Sequence, residues 1–333
     1  MGDVLWSRCG SEDCLRVAGI PRGADVRVRA GTATVAGEFP PMAGRIVHDD
    51  GDTCFVPRFA FVEGSTYTIV VDGAVAAVLV RPRLDRAATT EVVGIWPTAG
   101  SVPRNLLRIY VQFSARMSEG YGARHVRLVD DADETMAAVL LPTEHELWDA
   151  DRRRLTVLLD PARIKRGLIS NLQIGYPLVV GASVRVVVDA EFRDASGAAL
   201  RAPAERRFEV HADERRRVEP GSWTLTVPAH DTVAALGVQF DRPLDHGLLA
   251  RCLRVVGPLG RAIDGTPAIG PGERSWQFTP RHPWARDAHQ LIVDPVLEDL
   301  AGNSLTRVFD RDLTRAEDET PATTTTSLAF HPH

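Results

Sequence analysis

Apolar and polar residues alternate in short runs along the chain. Asp25-Val26-Arg27-Val28-Arg29, Leu107-Arg108-Ile109-Tyr110-Val111-Gln112-Phe113, Ser183-Val184-Arg185-Val186-Val187-Val188 and Leu236-Gly237-Val238-Gln239-Phe240 all run close to period 2. Successive side chains of a strand point to opposite faces, so this spacing, with its β-branched residues, predicts half-buried strands. Turn signals separate the runs: Val62-Glu63-Gly64, Asp194-Ala195-Ser196-Gly197, Gly257-Pro258-Leu259-Gly260 and Gly270-Pro271-Gly272. With 22 Pro and 27 Gly, long helices have little room. The two helix candidates are short, residues 160–166 and 244–253, the second with Asp245 as its N-cap. Many short strands punctuated by turns predict an all-β chain of β-sandwiches.

One phrase recurs three times. Residues 64–73 read Gly-Ser-Thr-Tyr-Thr-Ile-Val-Val-Asp-Gly, residues 181–190 Gly-Ala-Ser-Val-Arg-Val-Val-Val-Asp-Ala, and residues 286–295 Arg-Asp-Ala-His-Gln-Leu-Ile-Val-Asp-Pro. Each is an apolar strand ending in Asp, and Asp72, Asp189 and Asp294 stand 117 and 105 residues apart, about one small β-domain. The flanks repeat as well. Phe55-Val56-Pro57-Arg58 precedes the first copy and Phe278-Thr279-Pro280-Arg281 the third, each followed by an aromatic residue, Phe61 or Trp284. Asp194-x-x-Gly197 and Asp299-x-x-Gly302 follow the second and third copies, with Leu200 and Leu305 beyond them. An Asp capping a tight turn and a Gly at positive φ would make each a hairpin connection. The second and third copies also share an opening, Phe113-Ser114-x-x-Met117 and Phe240-Asp241-x-x-Leu244.

These repeats predict domains over residues 1–86, 87–212 and 213–315, with charged links at 81–86 and 215–220. Residues 316–333 are expected to be disordered or draped over the surface. The longest stretch outside the repeat is about 135–176 in the second domain.

Composition changes this picture little. The chain has 333 residues, 44% hydrophobic and 25% charged, with a net charge of −5. That is ordinary for a globular protein and lacks the basic excess of a nucleic-acid binder. Lys165 is the only Lys among 39 basic residues, which fits the codon usage of a GC-rich genome. No run approaches the ~18–20 apolar residues of a membrane span. The first residues lack the charged and apolar regions of a secretion signal. Three of the four cysteines, Cys9, Cys14 and Cys54, lie in the first third and the fourth is Cys252. All three pairings among the first set stay open, beside free buried thiols. No Cys-x-x-Cys occurs, which removes the main support for a zinc ribbon or thioredoxin-type motif.

Candidate chemistry is sparse. Glu144, His145 and Glu146 gather ligand types, but adjacent residues on a strand face opposite ways and no second His follows. A Trp148-anchored hairpin at Asp149-Ala150-Asp151 is the plainer expectation. The acidic turns at 48–52 and 130–134 do not fit the spacing of a calcium loop. Segment 135–176 holds the basic residues Arg152, Arg153, Arg154, Arg163, Lys165 and Arg166, and Trp148, Arg154 and Lys165 are its candidate ligand-binding residues. The six Trp are scattered and fit core packing. With no nucleophile elbow, no phosphate loop and isolated His residues, no enzyme is expected.

Residues 64–72, 299–305 and 113–117 carry a resemblance. They are similar to the motifs of the bacterial Ig-like domain of S-layer and other surface proteins: Gly-x-x-Tyr-x-Val-x-Val, Asp-x-x-Gly-Asn-x-Leu and Phe-Ser-x-x-Met. The second copy departs with Gly197-Ala198, and Val184 and His289 stand where the first copy has Tyr67. The stretches 96–108, 146–149 and 160–168 further resemble a set of bacterial proteins without an assigned activity. The resemblance implies three tandem Ig-like β-sandwiches in an elongated arrangement. It implies a non-catalytic structural, adhesion or protein-interaction role outside the bacterial cytoplasm, extracellular or periplasmic, with a protein or cell-surface partner. Calcium is the one cofactor it brings in, with Glu298, Asp299 and Asn303 as candidate ligands. The alternative is a carbohydrate- or calcium-binding protein using segment 135–176.

Overall fold

The computed structural model describes residues 3–10, 12–32, 40–49, 51–82, 87–143, 145–310 and 326–333. The chain gathers into two compact units, Met1–Arg86 and Ala87–His333. Strands dominate both, and no helix among the described residues is long and apolar enough to cross a membrane.

In the first unit, β1 (Val4–Cys9), β2 (Glu12–Val17), β5 (Asp52–Pro57) and β4 (Gly44–Asp49) form one sheet in that order. β3 (Val26–Ala30), β6 (Thr66–Val71) and β7 (Ala74–Val80) form the other. All neighbours are antiparallel. With strands lettered in chain order the sheets are A-B-E-D and C-F-G, the immunoglobulin constant-type arrangement. Alternation turns Leu15, Val17 and Phe55 inward from one sheet and Val28, Tyr67 and Ile69 from the other, closing a core with Phe61. Each such aliphatic or aromatic side chain contributes about 1.5–3 kcal/mol on burial. Asp72 and Gly73 form the two-residue F–G turn, with φ of 48° and 82°, the conformation Asp-Gly favours. The Tyr67 hydroxyl accepts a hydrogen bond from the Val62 N–H at 2.7 Å, tying the start of strand F to the preceding corner.

The second unit holds two more sandwiches with the same strand order. In the first of these, β8 (Val92–Trp96), β10 (Arg108–Phe113), β13 (Arg154–Leu158) and β12 (Leu147–Trp148) are A-B-E-D. β11 (Val126–Val129), β14 (Ser183–Val188) and β15 (Ala204–His211) are C-F-G, extended by β9 (Ser101–Pro103) running parallel to β15. Ile109, Val111 and Phe113 meet Leu128, Val186 and Phe208 in the core. In the other, β16 (Thr224–Thr226), β17 (Leu236–Gln239), β20 (Ser275–Pro280) and β19 (Gly265–Ile269) face β18 (Leu253–Val256), β21 (His289–Val293) and β22 (Thr326–Phe330). Val238, Trp276 and Phe278 pack there against Leu291, Val293 and Phe330.

The sequence repeat has a structural cause. Its three Asp residues each end strand F, and each donates its backbone N–H at 2.9 Å to the residue preceding strand C: Asp72 to Asp25, Asp189 to His125, Asp294 to Cys252. The Phe-x-Pro-Arg phrase ends strand E. Arg58 and Arg281 donate their N–H groups at 2.8 Å to Ala43 and Asp264, each just before strand D. The rings of Phe55 and Phe278 lie over Gly44 and Gly265, where an added Cβ would collide with them. In the Asp-x-x-Gly turns, Asp194 Oδ1 accepts from Ser196 and Ala198 N–H at 2.8 and 3.1 Å, and Asp299 Oδ1 from Ala301 and Asn303 N–H at 2.9 and 3.0 Å. Gly197 and Gly302 sit at φ of 85° and 81°.

Two expectations need correction. The end of the 316–333 tail is neither disordered nor draped: Thr326–Phe330 is strand G of the last sandwich, paired with β21 from His289↔Phe330 to Val293↔Thr326. Its Phe330 closes the core, and without it strand F would be a bare edge. Residues 311–325 lie outside the described residues. The 135–176 segment is also less singular than its sequence suggests, since β12 and β13 within it are strands D and E.

Candidate functional site

The edge of the D strand in the second sandwich forms a groove of about 850 Å³. Its hairpin is built locally. Asp149 Oδ1 accepts from the N–H groups of Arg153 and Arg154 at 2.8 and 3.1 Å, and Arg152 takes a φ of 52° at the turn. The register Leu147↔Thr156 and Trp148↔Leu155 follows. Trp148 packs its half-buried ring against Phe113 and Phe192, with centroids 5.8 and 6.2 Å away, and donates its indole N–H to Glu146 Oε2 at 2.8 Å. The other Glu146 oxygen accepts from the Gly122 N–H. Arg152 reaches Glu119 at 2.9 Å across the groove mouth.

Of the three candidate ligand-binding residues, only Trp148 lines this groove. Arg154 places its guanidinium 5.7 Å from the Tyr110 ring centroid, on the opposite strand face from Leu155. Lys165 lies with Nζ 4.8 Å from the Phe309 ring centroid. The three are not brought together. Glu144 of the metal-type triplet lies outside the described residues, His145 is exposed, and both Glu146 oxygens already accept N–H donors. Arg163 is an internal brace, donating to the carbonyls of Ala138, Gly175 and Tyr176 at 2.7–3.0 Å.

The calcium candidates meet hydrogen-bond donors and charge partners instead of one point in space. Asp299 is 2% exposed and accepts from Ala301, Asn303 N–H and Asn303 Nδ2, with Arg242 Nε at 3.3 Å. Asn303 Oδ1 accepts from the Phe309 N–H at 3.0 Å. Glu298 turns the other way, to Arg108. A cation needs oxygens free of N–H donors, so this arrangement works against one.

Glu298 belongs instead to a polar seam between the two sandwiches of the second unit. The Tyr110 hydroxyl donates to Asp245 at 2.8 Å, and Arg108 lies 3.4 Å from the same carboxylate. Asp245 also caps the helix His246–Cys252 by accepting from the Leu248 N–H at 2.9 Å. Glu273, 1% exposed, accepts from Thr98 N–H and Oγ1 at 2.7 Å each and from the Ala99 N–H at 3.3 Å. His246 stacks on Trp96 with centroids 4.3 Å apart. Asn105 and Glu214 exchange a pair of hydrogen bonds at 2.8 and 3.0 Å. Burial and the neighbouring Asp245 push the Tyr110 hydroxyl well above its ordinary pKa, and burial raises the Glu298 carboxyl. Arg108 is held charged because Asp245 and Glu298 outweigh the opposing effect of burial. These titratable groups converge by pairing and hydrogen-bonding with one another. Their chemistry is that of a rigid joint.

The sequence carried one sign of this seam. Tyr110 sits in the polar phase of an alternating strand, so Ile109-Tyr110-Val111 is apolar on both faces, as when both faces are covered. Nothing local marks Glu273 or Trp96.

No protein-family model matches the chain, and no curated protein sequence matches it. Among solved structures, a native alpha-2-macroglobulin fragment from Escherichia coli spanning domains MG0-NIE-MG1 is 10% identical, covering 74% of this chain and 91% of its own, with a TM-score of 0.25. The three-Ig titin fragment I67-I69 is 7% identical over 99% of this chain and 92% of its own, with a TM-score of 0.22. Domains 4-9 of the surface layer protein SbsC are 10% identical over 94% of this chain and 40% of their own, with a TM-score of 0.20. Scores this low do not amount to an overall superposition. The Ig-like assignment rests on the A-B-E-D and C-F-G strand order found three times.

Proposed function

We propose that the chain is a non-catalytic structural and protein-interaction protein of the bacterial surface or periplasm. The observation that carries the interaction role is an aliphatic patch on the second sandwich. Leu168, Ile169, Leu172, Ile174, Val179 and Val180 are all exposed, with Ile169 and Leu172 at 72% and 73%. So many exposed aliphatic side chains within thirteen residues of a folded domain favour a contact site. The seam supports the structural role, since it joins two sandwiches through buried hydrogen bonds and ion pairs, and the compartment rests on the family resemblance.

The test places a photo-crosslinking amino acid at Leu172 in the producing bacterium. The reading expects a covalent adduct with another protein in the envelope fraction, lost on Ile169→Glu while the fold persists by circular dichroism. Recovery of the protein in the cytoplasmic fraction, or an adduct that survives Ile169→Glu, overturns it.

A further inference from the structure

The outer face of the A-B-E-D sheet in the first unit brings three thiols together. Cys9 ends β1, Cys14 lies on β2 and Cys54 on β5, three neighbouring strands. Their sulfurs lie within 4.8 Å of one another. Cys14 and Cys54 are fully buried, Cys9 half-buried, and all three are free thiols. Val56 and Val47 pack beside them. Two ion pairs cross above β5 on this face, Arg45 with Glu12 and Arg16 with Asp49.

The strand register decides what the cluster can do. Cys9 pairs with Glu12 and Cys14 with Ser7, while Cys54 pairs with Arg16. No two of the cysteines stand directly opposite; they step diagonally across the sheet. Diagonal same-face neighbours are about 7–8 Å apart at the backbone, whereas the Cα atoms of a disulfide usually stand about 4.4–6.8 Å apart. A metal bridges that gap, because two bonds of about 2.3 Å set its sulfur ligands nearly 4 Å apart. We propose that Cys9, Cys14 and Cys54 form a three-thiolate site for a thiophilic d10 cation, Zn²⁺ or Cu⁺. Soft thiolates select these ions over Ca²⁺ or Mg²⁺. The half-buried Cys9 is the entry side and leaves room for a water as fourth ligand of Zn²⁺. Only the thiolate ligates, so a bound cation displaces the thiol protons. The Arg16 guanidinium beside Cys54 offsets the remaining negative charge.

One sample of the full chain is thiol-trapped on isolation to look for disulfides, and a second, untrapped and isolated under reducing conditions, is titrated with Cd²⁺ as an ultraviolet probe. Zn²⁺ and Cu⁺ are then each measured against a chromophoric chelator. The site predicts one ion per chain, a charge-transfer band of three-thiolate intensity, and proton release on binding. Cys14→Ser and Cys54→Ser weaken binding roughly tenfold or more, and Cys252→Ser leaves it unchanged. Cys9→Ser, at the half-buried end, keeps the test if the buried variants do not fold, and the wild-type band counts the thiolates without any variant. The tighter competition names the ion. A band unaffected by the Cys9, Cys14 and Cys54 variants, no binding by either ion, or a disulfide among the three in the thiol-trapped protein overturns the site.

Discussion

Two buried polar clusters stand on copies of one framework, and they differ in how their valences are met. In the seam of the second unit the buried carboxylates meet donors: Asp245 takes Tyr110, Arg108 and the Leu248 N–H, and Glu273 takes Thr98 and Ala99. On the outer sheet face of the first unit, three sulfurs chiefly face one another, with Arg16 beside Cys54 and Arg45 acting on Cys9. A closed cluster adds rigidity, because any rearrangement strands a buried charge. A cluster of like donors leaves a position for something absent from the chain itself. The same strand order therefore builds a joint in one place and a cluster of thiols in another, according to the residues on its outward faces.

The sharpest way to break this comparison is Glu273→Ala. It leaves the Thr98 and Ala99 N–H groups buried without an acceptor and should destabilise the second unit by about 3–5 kcal/mol in urea unfolding, with no effect on the first. A loss below about 1 kcal/mol would mean that the seam contributes little to stability.

Asp299 gives the seam a pH dependence. Burial raises its carboxyl from 3.8 to about 7, against the lowering effects of Asn303 and Arg242, while Glu214 adds to the rise. At this site the folded protein then binds one proton more than the unfolded chain between those values, so the contribution of Asp299 to stability is full below about pH 4 and is lost as pH rises to about 7. The rise bounds the change at about 4 kcal/mol. Unfolding midpoints measured across this range should fall, and Asp299→Asn should flatten the profile.

Gly247→Ala is a smaller probe of the same packing. An added Cβ would sit 2.8 Å from the Tyr110 ring and hydroxyl oxygen. On an open helix Ala would gain about 1 kcal/mol over Gly. Here the variant should instead lose about 1–3 kcal/mol by overpacking, read from the thermal midpoint. A gain would show that the seam is loose.

The all-β class and much of the repeat were legible because they are local. Period-2 alternation, Asp-Gly and Asp-x-x-Gly each act within a few residues, and the Asp245 cap sits beside its helix. Strand G of the last sandwich was not legible: Thr326-Ser-Leu-Ala-Phe330 is short, follows an acidic and Thr-rich stretch, and finds its partner more than thirty residues back. The thiol cluster was hidden for the same reason. Cys9, Cys14 and Cys54 match no linear ligand spacing, and only the order β1-β2-β5 makes them neighbours. Trp148, Arg154 and Lys165 failed to converge because closeness in sequence says nothing about which strand face a side chain takes.

Tyr67 tests the framework both clusters share. In the first sandwich its hydroxyl meets the Val62 N–H, while Val184 and His289 hold that place in the other two, His289 turning its Nδ1 to the Asp287 carbonyl at 2.7 Å. Tyr67→Phe keeps the ring packing on Phe61 and Trp6 and removes only the hydroxyl. The Met1–Arg86 unit should lose about 1 kcal/mol, measured by its unfolding midpoint, with the second unit unchanged. Because Tyr67 faces the core and the thiols face outward, Cd²⁺ binding should hold at native affinity. A parallel loss of binding would mean that the thiol face depends on the corner, and that the two sheets of this sandwich are not independent.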